Sequence, residues 1–176
     1  MKFVKGIAFG AGGLFIVVTL LSLLIPSKIM TSKSVLINAP KDSIHRLVSD
    51  LKEWKKWHPI FSQLTTLSNI STPSIGKNAS IEWNSDEKQN SIIVTAVTPD
   101  DFRFNVERKG ERTVENSIVI VPVEGTTEYL VEWRALNTSS WFPWEKFAGL
   151  FVSQITGPGY EAALVGLKTY VEQNSP

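Results

Sequence analysis

His45 and His58 are the only histidines in this 176-residue chain, and there is no cysteine. A metal centre needs three or four clustered N, O or S ligands, and the sequence offers no such cluster, so no metal is expected. Without cysteine there is no thiol nucleophile, disulfide scaffold or iron–sulfur ligation. A Ser nucleophile is disfavoured too, because no G-x-S-x-G stretch occurs and two histidines leave little choice of base. Neither G-x-G-x-x-G nor a Walker sequence is present, so no nucleotide cofactor is expected. His58, between Trp57 and Pro59, could exchange a proton or stand at the surface, and a surface position is the expectation.

Cyclisation or dehydration would use a buried acid and base of shifted pKa. Glu82, Glu107 and Glu132 are the candidates. Two of them sit inside Ile81-Glu82-Trp83 and Val131-Glu132-Trp133, where strand alternation sends the glutamate outward when the apolar neighbours turn inward. Surface carboxylates, with no catalytic residue among them, are therefore expected.

The remaining conspicuous chemistry is aromatic. All six tryptophans (Trp54, Trp57, Trp83, Trp133, Trp141 and Trp144) lie beyond residue 33. They would either fill a core or line an apolar pocket. Trp141, Phe142, Pro143 and Trp144 form a separate cluster suited either to a membrane interface or to a loop packed under a sheet.

Charge divides the chain. Residues 1–33 hold four lysines and no acid, leaving residues 34–176 with 14 basic and 17 acidic residues, a formal charge of −3. No basic stripe or block marks a nucleic-acid binder, so nucleic acid is not an expected partner. Residues 6–25 contain no charge and, at ~1.5 Å per helical residue, span the ~30 Å hydrocarbon thickness of a bilayer. This run exceeds the usual core of a cleaved signal, and Pro26 and Lys28 stand where cleavage would fall. Residues 1–33 are read as an uncleaved single-pass anchor and linker. The terminal amine with Lys2 and Lys5 favours N-terminus in and the domain outside.

Residues 34–176 carry the patterns that must position any site. SVLIN (34–38) reads as a strand and Pro40 opens a helix containing Ile44, Leu47 and Val48. LKEWKKWHPI follows as a second short helix or turn ended by Pro59, with Trp54 and Trp57 on one face. LTTLSNIS, NASIEWN, then 91–97, 101–108, 113–123 and 126–136 read as strands separated by Pro- or Gly-containing turns. Pro122 marks the end of its strand. A sheet with one apolar face needs a cover, and residues 139–154 and 160–173 supply a helical one, interrupted at Gly157-Pro158-Gly159.

Three groups of residues together resemble a known family. They are Val35-Leu36-Ile37-Asn38-Ala39-Pro40 with Val48, Asp50, Leu51, Trp54, Trp57 and Pro59; Ile75-Gly76 before Ile81-Glu82-Trp83; and Gly125-Thr126 leading to Trp133. The closing Gly159-Tyr160, Leu164, Gly166-Leu167-Lys168 and Val171-Glu172 extend the match. The sequence is similar to the START-like (SRPBCC) superfamily, polyketide cyclase/dehydrase type, in the subgroup with an N-terminal membrane anchor.

The resemblance implies an α+β helix-grip fold: a curved antiparallel sheet wrapped on a C-terminal helix, preceded here by one transmembrane helix. It implies a cavity between sheet and helix used for lipids, sterols or polyketides, and it does not imply a reaction. Trp57, Trp83, Phe104, Trp133, Phe147 and Phe151 are the expected cavity lining, chosen because alternation or helix position points them inward. The expected function is membrane-tethered binding of an apolar small molecule or lipid without covalent catalysis or cofactor. The alternatives are an acid–base cyclase or dehydratase, and a protein-interaction domain with a filled core.

Overall fold

The structure, a computed structural model, describes residues 2–63, 69–85 and 88–174, without the side chains of Lys2 and Ala8. Helix α1 (Lys2–Ser22) contains an apolar stretch, Phe3–Ser22, that is long and apolar enough to cross a membrane and is not buried against the rest of the chain. An N-terminal signal sequence can meet the same criterion of length and apolarity.

The chain then enters β1 (Lys28–Ile37) directly. The strand starts at Lys28 rather than at the expected Ser34. Its first half alternates exposed polar and inward positions too weakly to read alone, and pairing with β7 (Tyr129–Thr138) over its whole length supplies the missing stabilisation. Next come α2 (Lys41–Ser49), α3 (Trp54–Trp57) and α4 (Pro59–Gln63). α3 stops just before His58-Pro59, as expected, and Pro59 also opens α4, in keeping with the tolerance of proline at the first helical position. Of the strand expected over 64–71, residues 64–68 lie outside the described residues, and β2 is confined to Asn69–Ile70.

β3 (Ser80–Ser85), β4 (Lys88–Val97), β5 (Asp101–Arg108), β6 (Val114–Pro122) and β7 then form the antiparallel meander that the alternation predicts. The seven strands form one antiparallel sheet in the order β1-β7-β6-β5-β4-β3-β2. Gly110 and Gly125 adopt φ of +85° and +76° in the turns flanking β6, a left-handed conformation that costs a side-chain-bearing residue free energy. β6 ends at Pro122, where a missing N–H disturbs no central ladder.

The inner face of the sheet carries Ile81, Trp83, Val94, Phe102, Phe104, Ile118, Val131 and Trp133, all buried. Against it pack Ile44, Leu47, Val48 and Leu51 from α2 and its exit, and Leu164, Leu167 and Val171 from the last helix. Asp50 bridges to Ile75, and its carboxylate accepts a hydrogen bond from Ser74 Oγ at 2.7 Å. Two of the segments that carry the family resemblance are thereby tied together.

The cover is α5 (Pro143–Gly149) followed by α6 (Val152–Asn174). The interruption expected at Gly157-Pro158-Gly159 does not occur: α6 runs through it with Pro158 inside. Proline forfeits one i→i−4 hydrogen bond, a loss offset by packing of buried Gly157, Ala163, Leu164, Leu167 and Val171 along the same helix.

Candidate functional site

Between the inner face of the sheet and the helices lies a hollow of about 290 Å³. Trp83, Ile92, Phe104, Val106 and Trp133 form its sheet wall, Trp54, His58, Pro59, Ile60 and Phe61 its α3–α4 wall, and Thr156, Gly159, Tyr160 and Ala162 its α6 wall. Larger grooves lie elsewhere, one of about 500 Å³ on the outer sheet face around Arg103 and Arg134 and one of about 560 Å³ beside α5. Both mix charged and polar side chains with apolar ones. The inner hollow is the apolar one, and concave apolar sites with a few polar groups are where small molecules bind.

Trp83, Phe104 and Trp133, three of the six residues expected to line a cavity, are brought together on this wall. Trp133 is fixed by its indole N–H, which donates to Asn116 Oδ1 at 2.9 Å. Phe104 stands edge-on to both Trp54 and Trp133, with centroids 5.3 and 5.7 Å apart. The other three lie outside the wall. Trp57 is buried with its N–H donating to Leu47 O at 2.9 Å, and its backbone faces α6 at Gly166. Phe147 and Phe151 are exposed, on and just beyond α5. Phe147 lies on α5 and Phe151 between α5 and α6, and both are turned to the exterior.

Besides His58, three aromatic residues of the wall are not among those the sequence points to. Trp54 is the centre of the aromatic cluster, fully buried, with its N–H donating to Val48 O at 2.8 Å. The Trp54/Trp57 spacing already announced a shared face; which of the two indoles reaches the hollow depends on the packing of α3. Phe61 stands edge-on to Trp83 at 5.2 Å. Tyr160 lies 5.2 Å from Trp133, a placement concealed while Gly157-Pro158-Gly159 reads as a helix break.

The surface position expected for His58 is overturned: the side chain is buried on the wall, because Pro59 turns the chain into α4 and folds the imidazole under Phe61 and Trp54. Desolvation lowers its pKa from 6.5 to about 4, so the ring is neutral at pH 7. Its Nδ1 is buried without a hydrogen-bond partner among the described residues. Burial also raises the Tyr160 phenol, against a hydrogen bond with Thr156 that lowers it. His58, Tyr160 and Thr156 are thus the hydrogen-bonding groups in an otherwise apolar wall.

Glu82, Glu107 and Glu132 stand on the outer sheet face, as the alternation requires. Glu132 accepts from Arg134 and Ser32, each at 2.5 Å, and the Arg134 hydrogen bond leads the causes that lower its pKa. Among the described residues, no three His, Asp or Glu side chains gather in a metal-holding group.

The family model described as polyketide cyclase / dehydrase and lipid transport matches residues 28–172. No curated protein matches the sequence. Among solved structures, a START superfamily protein from Mycobacterium smegmatis aligns with a TM-score of 0.58 at 18% identity, covering 82% of this chain and 97% of that one. Norcoclaurine synthase from Thalictrum flavum, solved with dopamine and hydroxybenzaldehyde, aligns with a TM-score of 0.60 at 12% identity, covering 88% and 92%. DynU16, a protein of the dynemicin biosynthetic locus, aligns with a TM-score of 0.56 at 18% identity over 84% of this chain; the match spans 48% of DynU16. At these identities the likeness is one of fold: α+β and START-like.

Proposed function

The chain belongs to the polyketide cyclase / dehydrase and lipid transport family, and we propose that it is a membrane-tethered binding module. It holds an apolar small molecule or lipid between the sheet and α6 and forms no covalent bond to it. The observation that carries this reading is the hollow itself, about 290 Å³ walled by Trp54, Trp83, Phe104 and Trp133. That volume is at the small end of ligand sites, so it suits a compact ring system or part of an acyl chain. Its guest carries one polar group, set against His58 or Tyr160. The α1 helix provides the tether by its length and composition, with N-terminus in and the domain outside the membrane. Trp83, Phe104 and Trp133 are the contacts to the guest among the residues expected from sequence.

Native mass spectrometry of the full chain, released gently from detergent micelles or nanodiscs, tests the proposal. A co-isolated lipid-like mass that disappears when the hollow is filled by mutation supports it. A bare mass, with tryptophan emission unmoved by fatty acids, sterols and flavonoid-like compounds, favours an interaction domain instead.

One observation favours a second reading, acid–base catalysis of cyclase or dehydratase type. The buried imidazole of His58 is neutral and its Nδ1 has no partner among the described residues, the state that a general base requires. A turnover whose pH dependence vanishes in His58→Ala would establish it.

A further inference from the structure

The segment that follows α1 is fastened to α5 and to the residues before it. The Lys146 ammonium, on α5 and buried, donates to the Ile25 carbonyl at 3.0 Å, and the Ser139 N–H donates to the Ser27 carbonyl at 2.8 Å. Gly149 closes the contact: a Cβ there would lie 2.9 Å from Ile29 Cδ1. The position of α5 is therefore set relative to the C-terminal end of the apolar helix.

From this anchored segment six large apolar side chains project into the open: Trp141, Trp144, Phe147, Leu150, Phe151 and Ile155. Trp141 and Trp144 are 62% and 59% exposed, so the alternative of packing under the sheet does not apply to them. Phe142 stacks between their rings, at 4.4 Å and 4.9 Å, giving a pre-ordered aromatic slab. Glu145 is the only carboxylate between residues 141 and 155, and it accepts a hydrogen bond from the Ser140 N–H at 2.8 Å. Lys146, the only cation there, is spent on Ile25. The face presents tryptophan and aliphatic surface with one partly exposed carboxylate, Glu145, which stands 3.7 Å from the Arg112 guanidinium, a composition suited to a bilayer interface belt.

We infer that this face of α5 and the first turns of α6 is a docking surface for the lipid bilayer, seated at headgroup depth beside the point where α1 leaves the membrane. The inference rests on reading α1 as a membrane span. A free apolar patch in water invites association, and the occupant is specified by continuity: buried Lys146, on the same helix as this face, is hydrogen-bonded to Ile25, three residues past the end of the apolar helix. It also runs toward the site. Phe151, Ile155, Gly159 and Ala162 follow one another at helical spacing, and the last two line the hollow.

Quenching by brominated lipid tests this, because α1 contains no tryptophan. The full chain is reconstituted in phosphatidylcholine vesicles with and without bromine near the glycerol end of the acyl chains. The expected result is quenching of the wild type, bounded by the share of two indoles among six, and its loss in Trp141→Phe/Trp144→Phe. Equal quenching in both proteins, with the chain floating with the vesicles, overturns the docking face while leaving the span intact. Failure to float removes the span, and the docking face with it. Equal quenching accompanied by acrylamide protection of Trp141 and a cross-linked dimer would assign the face to a second copy of the chain and overturn the inference.

Discussion

The imidazole of His58 lies flat against the indole of Trp54, ring centroids 5.5 Å apart and planes inclined by 5°. An aromatic face favours a cation above it, yet burial outweighs that attraction and leaves the ring uncharged at neutral pH. The stack therefore places a neutral hydrogen-bonding heterocycle in an aromatic wall.

Stability should depend on this ring. The His58 pKa is about 4 folded against 6.5 in a free chain, so the unfolded state binds the extra proton between those values and stability rises with pH across that window. The contribution is fully present above pH 6.5 and lost as pH falls through 4, on the order of 3 kcal/mol at ~1.4 kcal/mol per pKa unit. Urea midpoints of the full chain in micelles at pH 7 and pH 4 should show the fall, and His58→Gln should flatten that part of the profile.

Two glycines of α6 should respond oppositely to alanine. A Cβ at Gly159 meets nothing within 4 Å, whereas one at Gly166 would stand 2.2 Å from the Trp57 carbonyl oxygen. Gly159→Ala should gain up to about 1 kcal/mol of helix propensity. Gly166→Ala should lose about 1–3 kcal/mol through overpacking against backbone. Denaturant unfolding of the pair reads both signs; a neutral Gly166→Ala would mean that α3 and α6 do not meet this closely.

Filling the hollow should separate binding from folding. Gly159→Leu directs an aliphatic side chain toward the space that Gly159 now lines. The variant should remain folded by circular dichroism and lose the tryptophan response to apolar probes. An undiminished response would place the binding elsewhere.

Trp57 and Trp133 should differ in the same assays. Trp57→Phe removes a buried hydrogen bond to Leu47 O, costing about 1–3 kcal/mol, with probe affinity unchanged because the ring lies off the wall. Trp133→Phe strands Asn116 Oδ1 at a similar cost and also weakens the probe, since that ring forms the wall.

Much of this was legible in the chain. Period-two alternation in 101–108 and around Trp133 set the inward face of each strand, because successive side chains must leave a strand on opposite sides. It also sent Glu82, Glu107 and Glu132 outward. The uncharged run 6–25 stood out without a partner, since apolar length is a property of the segment alone. Trp83, Phe104 and Trp133 were accessible for the same reason.

What depended on tertiary structure were the features that neighbours impose. β1 reaches back to Lys28 because β7 pairs with it throughout. α6 continues through Pro158 because its buried face packs on the rest of the domain. His58 and Trp54 became wall residues, and Phe147 and Phe151 surface ones, according to how short helices of four to seven residues settle on the sheet. Local spacing fixes which side chains share a face. Which face meets protein, cavity or solvent is decided by the packing free energy summed over contacts distant in sequence, and no window of the chain contains that sum.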